Sequence, residues 1–143
     1  MFTRDLAIGT FRSHGMRLTP QRLAVVDALA AMCGTHPSAE QVAARVASRV
    51  EGVSLSTIYK VLNEVADLDL VTRIPIEGSM RFDDNVAGHA HLLCEECGAV
   101  VDLEIPTGMG EELSALAASQ GARVARAQVN LTGRCAACLA RAN

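Results

Sequence analysis

The chain has no tryptophan, one tyrosine and three phenylalanines, so aromatic side chains are 3% of its 143 residues. A stacking surface for single-stranded RNA or DNA needs several aromatic faces, and that class is excluded. No apolar run approaches the ~20 residues that span a bilayer. The opening segment MFTRDLAIGTFRSHG lacks the apolar stretch of a secretory signal. The expectation is therefore a cytoplasmic protein with no membrane partner. Thiols stay reduced in that compartment, so its five cysteines point to metal or redox chemistry rather than a disulfide frame. Strong charge is missing too: the formal net charge is −3. It is uneven, however. Residues 1–22 hold Arg4, Arg12, Arg17 and Arg22 against Asp5, a local +3, whereas from residue 88 four arginines face six acids. The field near a docking surface matters more than the total, so DNA is not excluded. With 50% apolar and 20% charged residues the chain can bury a core.

What is present falls into two parts. Leu6 and Phe11 begin a short helix that ends near Gly15. Thr19-Pro20 is a helix start, since Thr can cap and Pro fits the first helical position. Leu23, Val26, Ala30 and Val25, Leu29, Met32 then repeat at helical spacing. Ser38 with Gln41 reads as a capping box, Val42, Val46 and Val50 as the stripe behind it, and Gly52 as its stop. From Ser54, the residues Leu55, Ile58, Leu62 and Val65 share one helical face. Ser56, Thr57, Tyr59, Lys60 and Asn63 lie off that stripe and suit phosphates and base edges. Val71–Ile76 and Met80–Phe82 flank Glu77-Gly78-Ser79, a hairpin. Helices followed by a hairpin predict a winged helix-turn-helix with residues 54–66 as recognition helix.

The predicted domains are 1–84, a hinge at 85–88, and a small α/β domain at 89–143, an α+β chain overall. In the second domain, strands are expected at His91–Leu93, Ala99–Leu103 and Val124–Leu131, with a helix at Glu111–Ser119. A domain of about 55 residues buries too little surface to be secure alone.

Cys94-Glu95-Glu96-Cys97 and Cys135-Ala136-Ala137-Cys138 bracket that small domain, with 37 residues between them. Two such knuckles can supply four thiolates in a tetrahedron, the arrangement of a closed structural Zn²⁺ site. Cys33 stands alone and reads as a core thiol. His89-Ala90-His91 on a strand puts both imidazoles on one side. Asp102 lies in the apolar stretch Val100-Val101-Asp102-Leu103 and needs a partner. Together with His36 and either Asp83 or Asp84, these residues form a candidate nitrogen and oxygen site for Fe²⁺, Mn²⁺, Co²⁺ or Zn²⁺. His14 has no partner in sequence and reads as a surface residue.

These motifs carry a family resemblance over nearly the whole chain. Arg17-Leu18-Thr19-Pro20-Gln21-Arg22, His36-Pro37-Ser38-Ala39-Glu40, Ser54–Leu62, Arg81-Phe82-Asp83, His89–Gly98, Val100-Val101-Asp102 and Gly133–Cys138 make it similar to the ferric uptake regulator (Fur) family of metal-dependent repressors. The resemblance implies a homodimer, a C-terminal dimerisation domain, and binding of a double-stranded pseudo-palindromic operator when a regulatory metal is bound. It looks most like the peroxide-sensing branch. That branch's three His and two Asp fall on His36, Asp83, His89, His91 and Asp102, and its oxidation-sensitive histidines on His36 and His89. The iron sensors usually have Glu where Asp102 stands, and often a further site that begins in a His-rich run, where this chain has Gly88 and Ala90. The implied ions are structural Zn²⁺ and regulatory Fe²⁺ or Mn²⁺.

Arg12, Arg17, Arg22 and Lys60 are then the phosphate candidates, and Ser56, Thr57 and Tyr59 stand nearest base edges. The expected function is repression relieved by peroxide under oxidative stress. The alternative is an iron- or manganese-level sensor. Enzymatic activity is not expected: a zinc hydrolase would need a general base and an open metal position, and no HExxH or comparable motif exists. No small-molecule substrate is expected beyond metal ions and H₂O₂. A zinc scaffold that binds only protein is the remaining rival.

Overall fold

The computed structural model describes residues 1–142. The chain divides into two compact units, one over Met1–Val86 and one beginning at Ala87. No helix among the described residues is long and apolar enough to cross a membrane.

The first unit contains α1 (Arg4–Ser13), α2 (Pro20–Ala31), α3 (Ala39–Ala47), α4 (Leu55–Asp67) and the strands β1 (Thr72–Ile76) and β2 (Ser79–Asp83). Each helix starts at a hydroxyl cap: Thr3, Thr19, Ser38 and Ser54 accept hydrogen bonds from the backbone N–H groups of Leu6, Arg22, Gln41 and Thr57. At α3 the Gln41 side chain also reaches back to the Ser38 N–H, which completes the expected capping box. The caps fix where each apolar stripe begins, and the stripes meet. Phe11, Val25, Val26, Leu29, Val42, Val46, Ile58, Leu62, Val65 and Phe82 form one buried core. Leu55 does not join it. It sits in the first turn of α4 and is 43% exposed, while Val61 is buried in its place. The three-residue offset from Ile58 is helical, but the first turn extends beyond the packed surface.

The hairpin is tighter than the expected 77–79 turn. Ile76 pairs with Ser79, so only Glu77 and Gly78 form the turn, with Gly78 at φ +70. On its other edge β2 grips the segment before α3: the Phe82 N–H donates to the Pro37 carbonyl at 3.0 Å, and Ser38 bridges Arg81.

The second unit holds β3 (Ala90–Cys94), β4 (Val100–Leu103), α5 (Met109–Ala118), β5 (Val129–Gly133) and α6 (Ala136–Arg141). Its sheet has the order β4-β3-β5, with β3 antiparallel to β4 and parallel to β5. The final strand expected at Val124–Leu131 is displaced. Its ladder starts at the pair Ala90↔Val129, because β3 offers no residue before Ala90 to pair with. The helix expected at Glu111–Ser119 starts at Met109 and ends at Ala118. Helix α6 is an addition, and it starts directly after Cys135 of the second knuckle. Asn143, the last residue of the expected second domain, lies outside the described residues.

Candidate metal centres and nucleic-acid face

The four knuckle cysteines meet. Cys94 is the last residue of β3, and its ladder partner on β5 is Gly133, two residues before Cys135. The first knuckle turns back on itself: Gly98, at φ +72, donates its N–H to the Cys94 carbonyl, and the Cys94 N–H donates to Ala99. Cys135 stands immediately before α6 and places Cys138 in that helix's first turn. The sulfurs of Cys94 and Cys138 are 3.7 Å apart, as are those of Cys97 and Cys135, and all four lie within 4.8 Å of one another. A disulfide needs about 2.05 Å. A tetrahedral thiolate centre with metal–sulfur bonds of ~2.3 Å has edges of about 3.8 Å, and the observed spacing fits it. The local field prepares thiolates unevenly. Backbone N–H groups of Cys135 and Cys97 pull the Cys94 thiol down to about 6, with the Cys135 N–H 3.3 Å from its sulfur. Burial pushes Cys138 up to about 12, opposed by the Arg141 guanidinium 2.8 Å from its sulfur.

Cys33 is apart from this cluster. Its thiol donates to the Phe2 carbonyl at 3.3 Å, and burial raises its pKa above the ordinary value. It is half-buried and packs against the edge of the core rather than inside it.

The nitrogen and oxygen candidates are assembled by different means in the two units. In the first, His36 occupies the left-handed region at φ +49, an uncommon conformation for a residue with a side chain. Arg81 helps to hold it by donating to the His36 carbonyl at 3.2 Å. The His36 Nε2 lies 3.6 Å from Asp83 Oδ1, and both residues are buried. Asp84 faces elsewhere: its Oδ1 accepts the Gly34 N–H at 2.7 Å. Of the two acids left open by the sequence, Asp83 is the one that stands beside His36.

In the second unit, sheet register does the work. His91 is the direct ladder partner of Asp102, and His89, two residues earlier, shares its side. Their Nε2 atoms lie 3.6 and 3.4 Å from Asp102 Oδ1, and the two rings sit edge to face at 4.5 Å. Each Nδ1–H has an acceptor, the Ala87 carbonyl at 2.6 Å for His89 and Asn130 Oδ1 at 3.2 Å for His91. Those bonds set the tautomer that presents Nε2 lone pairs toward the carboxylate, the form in which imidazoles ligate a metal. Two imidazole nitrogens and a carboxylate oxygen are a donor set that fits a divalent cation. Asp102 is not enclosed as its apolar neighbours suggested: its side chain is 46% exposed. Asn130 was invisible to motif reading because it reaches His91 only through the parallel β3–β5 pairing.

Helix α4 packs on α2 and α3 through its apolar face and leaves its polar face outward. Arg12, Arg17, Ser56 and Lys60 are exposed, and Thr57 and Tyr59 half-buried. Thr57 is tied to Ser54, their hydroxyls 2.9 Å apart. Arg22 has a different occupation from the expected phosphate contact. Its guanidinium grips both Glu64 oxygens at 2.8 and 2.9 Å, which fastens α2 to α4. This hydrogen bonding holds the Glu64 carboxyl below its ordinary range. Beside them Thr19, Gln21, Thr57, Lys60 and Val61 line a shallow cleft of ≈ 230 Å³. The Tyr59 hydroxyl donates to Glu40 Oε1 at 3.0 Å.

The ferric uptake regulator family model matches residues 13–132. A peroxide-responsive repressor, PerR, from Staphylococcus saprophyticus is 36% identical over 101 residues, which are 70% of this chain and 68% of that protein. Among solved structures, the ferric uptake regulator of Vibrio cholerae superposes with a TM-score of 0.71 at 28% identity, over 89% of this chain and 98% of the other. A Campylobacter jejuni peroxide stress regulator superposes with a TM-score of 0.66 at 26% identity, over 92% and 98%.

Proposed function

The chain belongs to the ferric uptake regulator family, and from that premise we propose that it is a peroxide-responsive, metal-dependent repressor of transcription. The observation that carries this reading is the donor set. His89 and His91 present Nε2 to Asp102, and His36 stands beside Asp83, all nitrogen and oxygen donors. Asp102 takes the place where iron-sensing members usually carry Glu, and a PerR repressor is the 36% identical relative.

In this reading His36, Asp83, His89, His91 and Asp102 hold one regulatory ion, Fe²⁺ or Mn²⁺, while Cys94, Cys97, Cys135 and Cys138 hold structural Zn²⁺. Fe²⁺ held there would pass electrons from a ligand imidazole to H₂O₂: the O–O bond breaks, one oxygen replaces a ring C–H hydrogen of His36 or His89, the other leaves as water, and the oxidised imidazole binds metal less well. Residues 85–88 act as the hinge, so ligands on both sides of it fix the heads that read DNA. Lys60, Arg12 and Arg17 bind operator phosphates, and Ser56, Thr57 and Tyr59 reach base edges in the major groove. Arg22 supports them by holding α4 in place.

The poverty of the second unit supports a homodimer. Helix α5 has no buried residue, and Leu116, Leu131, Leu139 and Val101 are exposed. A second copy would cover that apolar surface and set two recognition helices one helical turn apart on a pseudo-palindrome. The site of action is the cytoplasm.

The test uses protein loaded separately with Fe²⁺ and Mn²⁺ under anaerobic handling, and a duplex selected from a randomised pool by the Mn²⁺ form. Brief low-dose H₂O₂ should release DNA from the Fe²⁺ form alone and add ~16 Da to peptides carrying His36 or His89. Retention of DNA by both forms, with release only by chelation, would make the protein a metal-level sensor. An added oxygen found only on cysteine peptides would shift the chemistry to the thiolates.

A further inference from the structure

We infer that Glu40 is a specificity-determining positioning residue, whose carboxylate holds the Tyr59 hydroxyl and so sets where that ring stands on the DNA-reading face of α4. The inference rests on the reading of α4 as the recognition helix. The bond itself does not: the hydroxyl donates to Glu40 Oε1 at 3.0 Å, across two helices. A tyrosine at a helix surface has two side-chain torsions to settle. The ring of Tyr59 packs against the core of the first unit, and the hydroxyl is pinned at its far end.

The anchor is well founded. Glu40 lies in the first turn of α3, where the capping box fixes the helix start and the Ser38–Arg81 bridge ties that start to β2. Its carboxylate is kept ionised below its ordinary range first by its own backbone N–H, then by the Tyr59 hydroxyl and Ser38, with Arg81 adding a nearby positive charge. The same bond raises the Tyr59 phenol above its ordinary value. The helix that carries Glu40 begins in the segment that carries His36, so Tyr59 is fastened to the base of the first unit's ligand pair.

The carboxylate suits the first turn of α3, where the helix N-terminus favours negative charge, and its placement also bears on discrimination. An exposed carboxylate on a face that meets phosphates weakens binding to every duplex alike. It improves selectivity when it fixes a side chain that reads bases.

Tyr59 is the one tyrosine and there is no tryptophan, so phenolate absorbance reports on it alone. In the full-length, Mn²⁺-loaded protein, Glu40→Ala should return Tyr59 titration from above 10.0 to its ordinary value. Glu40→Gln keeps an acceptor and loses the charge, so it should fall between. The preference for a selected duplex over a scrambled one should drop about fivefold in Glu40→Ala and in Tyr59→Phe, the size of one net hydrogen bond, with no further drop in the double variant. Binding to the scrambled duplex should rise in Glu40→Ala, and Glu40→Gln should retain most of the preference. An unchanged titration, additive losses in the double variant, or equal weakening on both duplexes would each overturn the inference. If Tyr59→Ala left the preference intact, the recognition-helix reading itself would fall and the inference with it, while the titration shift would still report the bond.

Discussion

The two units solve the problem of having an interior with different materials. The first is held by hydrocarbon: Phe11, Ile58, Leu62, Phe82 and their neighbours are buried from four helices and a hairpin. The second has a buried cluster of Cys94, Cys135 and Cys138 with Ala99 against it, and a helix that buries nothing. A small domain with so little apolar interior needs a staple, and four cysteine sulfurs within 4.8 Å of one another could supply one by holding a metal ion. The lesson is that the same chain carries one unit whose stability is a matter of area and another whose stability is a matter of chemistry.

Removing the staple should have the largest effect. Cys94→Ser or Cys138→Ser should unfold the second unit outright, because binding of a structural metal is worth on the order of 10 kcal/mol of folding free energy. Amide hydrogen exchange should then collapse over β3–β5 and persist over α2–α4. Loss of protection in both units together would erase the comparison.

The converse substitution attacks the hydrocarbon. Phe11→Ala should cost the first unit about 3–5 kcal/mol in denaturant unfolding, by lost transfer energy and a cavity. Metal content at the cysteines should not change.

A smaller, pH-dependent term separates the units further. Glu64 is held below its ordinary pKa of 4.5 by Arg22. A depressed carboxyl stabilises the fold above its unfolded pKa, and that contribution disappears as pH falls through the folded value. Wild type should therefore lose its advantage over Glu64→Gln on acidification below about 4.5, an advantage of about 1–2 kcal/mol at neutral pH. Urea midpoints of the first unit at neutral and acid pH would read it. An advantage that survived acidification would discard the ion pair.

The smallest effect is local. Ser38→Ala removes one half of the capping box and should cost about 1 kcal/mol, confined to the first unit. Because α3 starts beside His36, regulatory-metal affinity measured calorimetrically should fall with it, while the cysteine centre is untouched.

The helical half of the molecule was legible in the sequence because its signals are local. Caps at Thr19, Ser38 and Ser54 and the stripes behind them lie within a few residues of one another, and the structure has them where the spacing put them. The four cysteines were legible for the same reason, as two short knuckles whose residue type already names the chemistry. The strands were less so. Val124–Leu131 has the composition of a strand, but only Val129 onward finds a partner.

What the sequence determined by itself, then, is a set of helix starts, apolar faces and ligand types, since each is written in neighbours along the chain. Tertiary structure alone decided that Asp83 rather than Asp84 stands beside His36, that Arg22 grips Glu64, and that Glu40 holds Tyr59. It alone aligned His91 with Asp102 on one side and Asn130 on the other. Each of these depends on the register of a ladder or the approach of two helices. A shift of one residue would turn the side chain to the opposite face, and no spacing within either segment records which alignment wins.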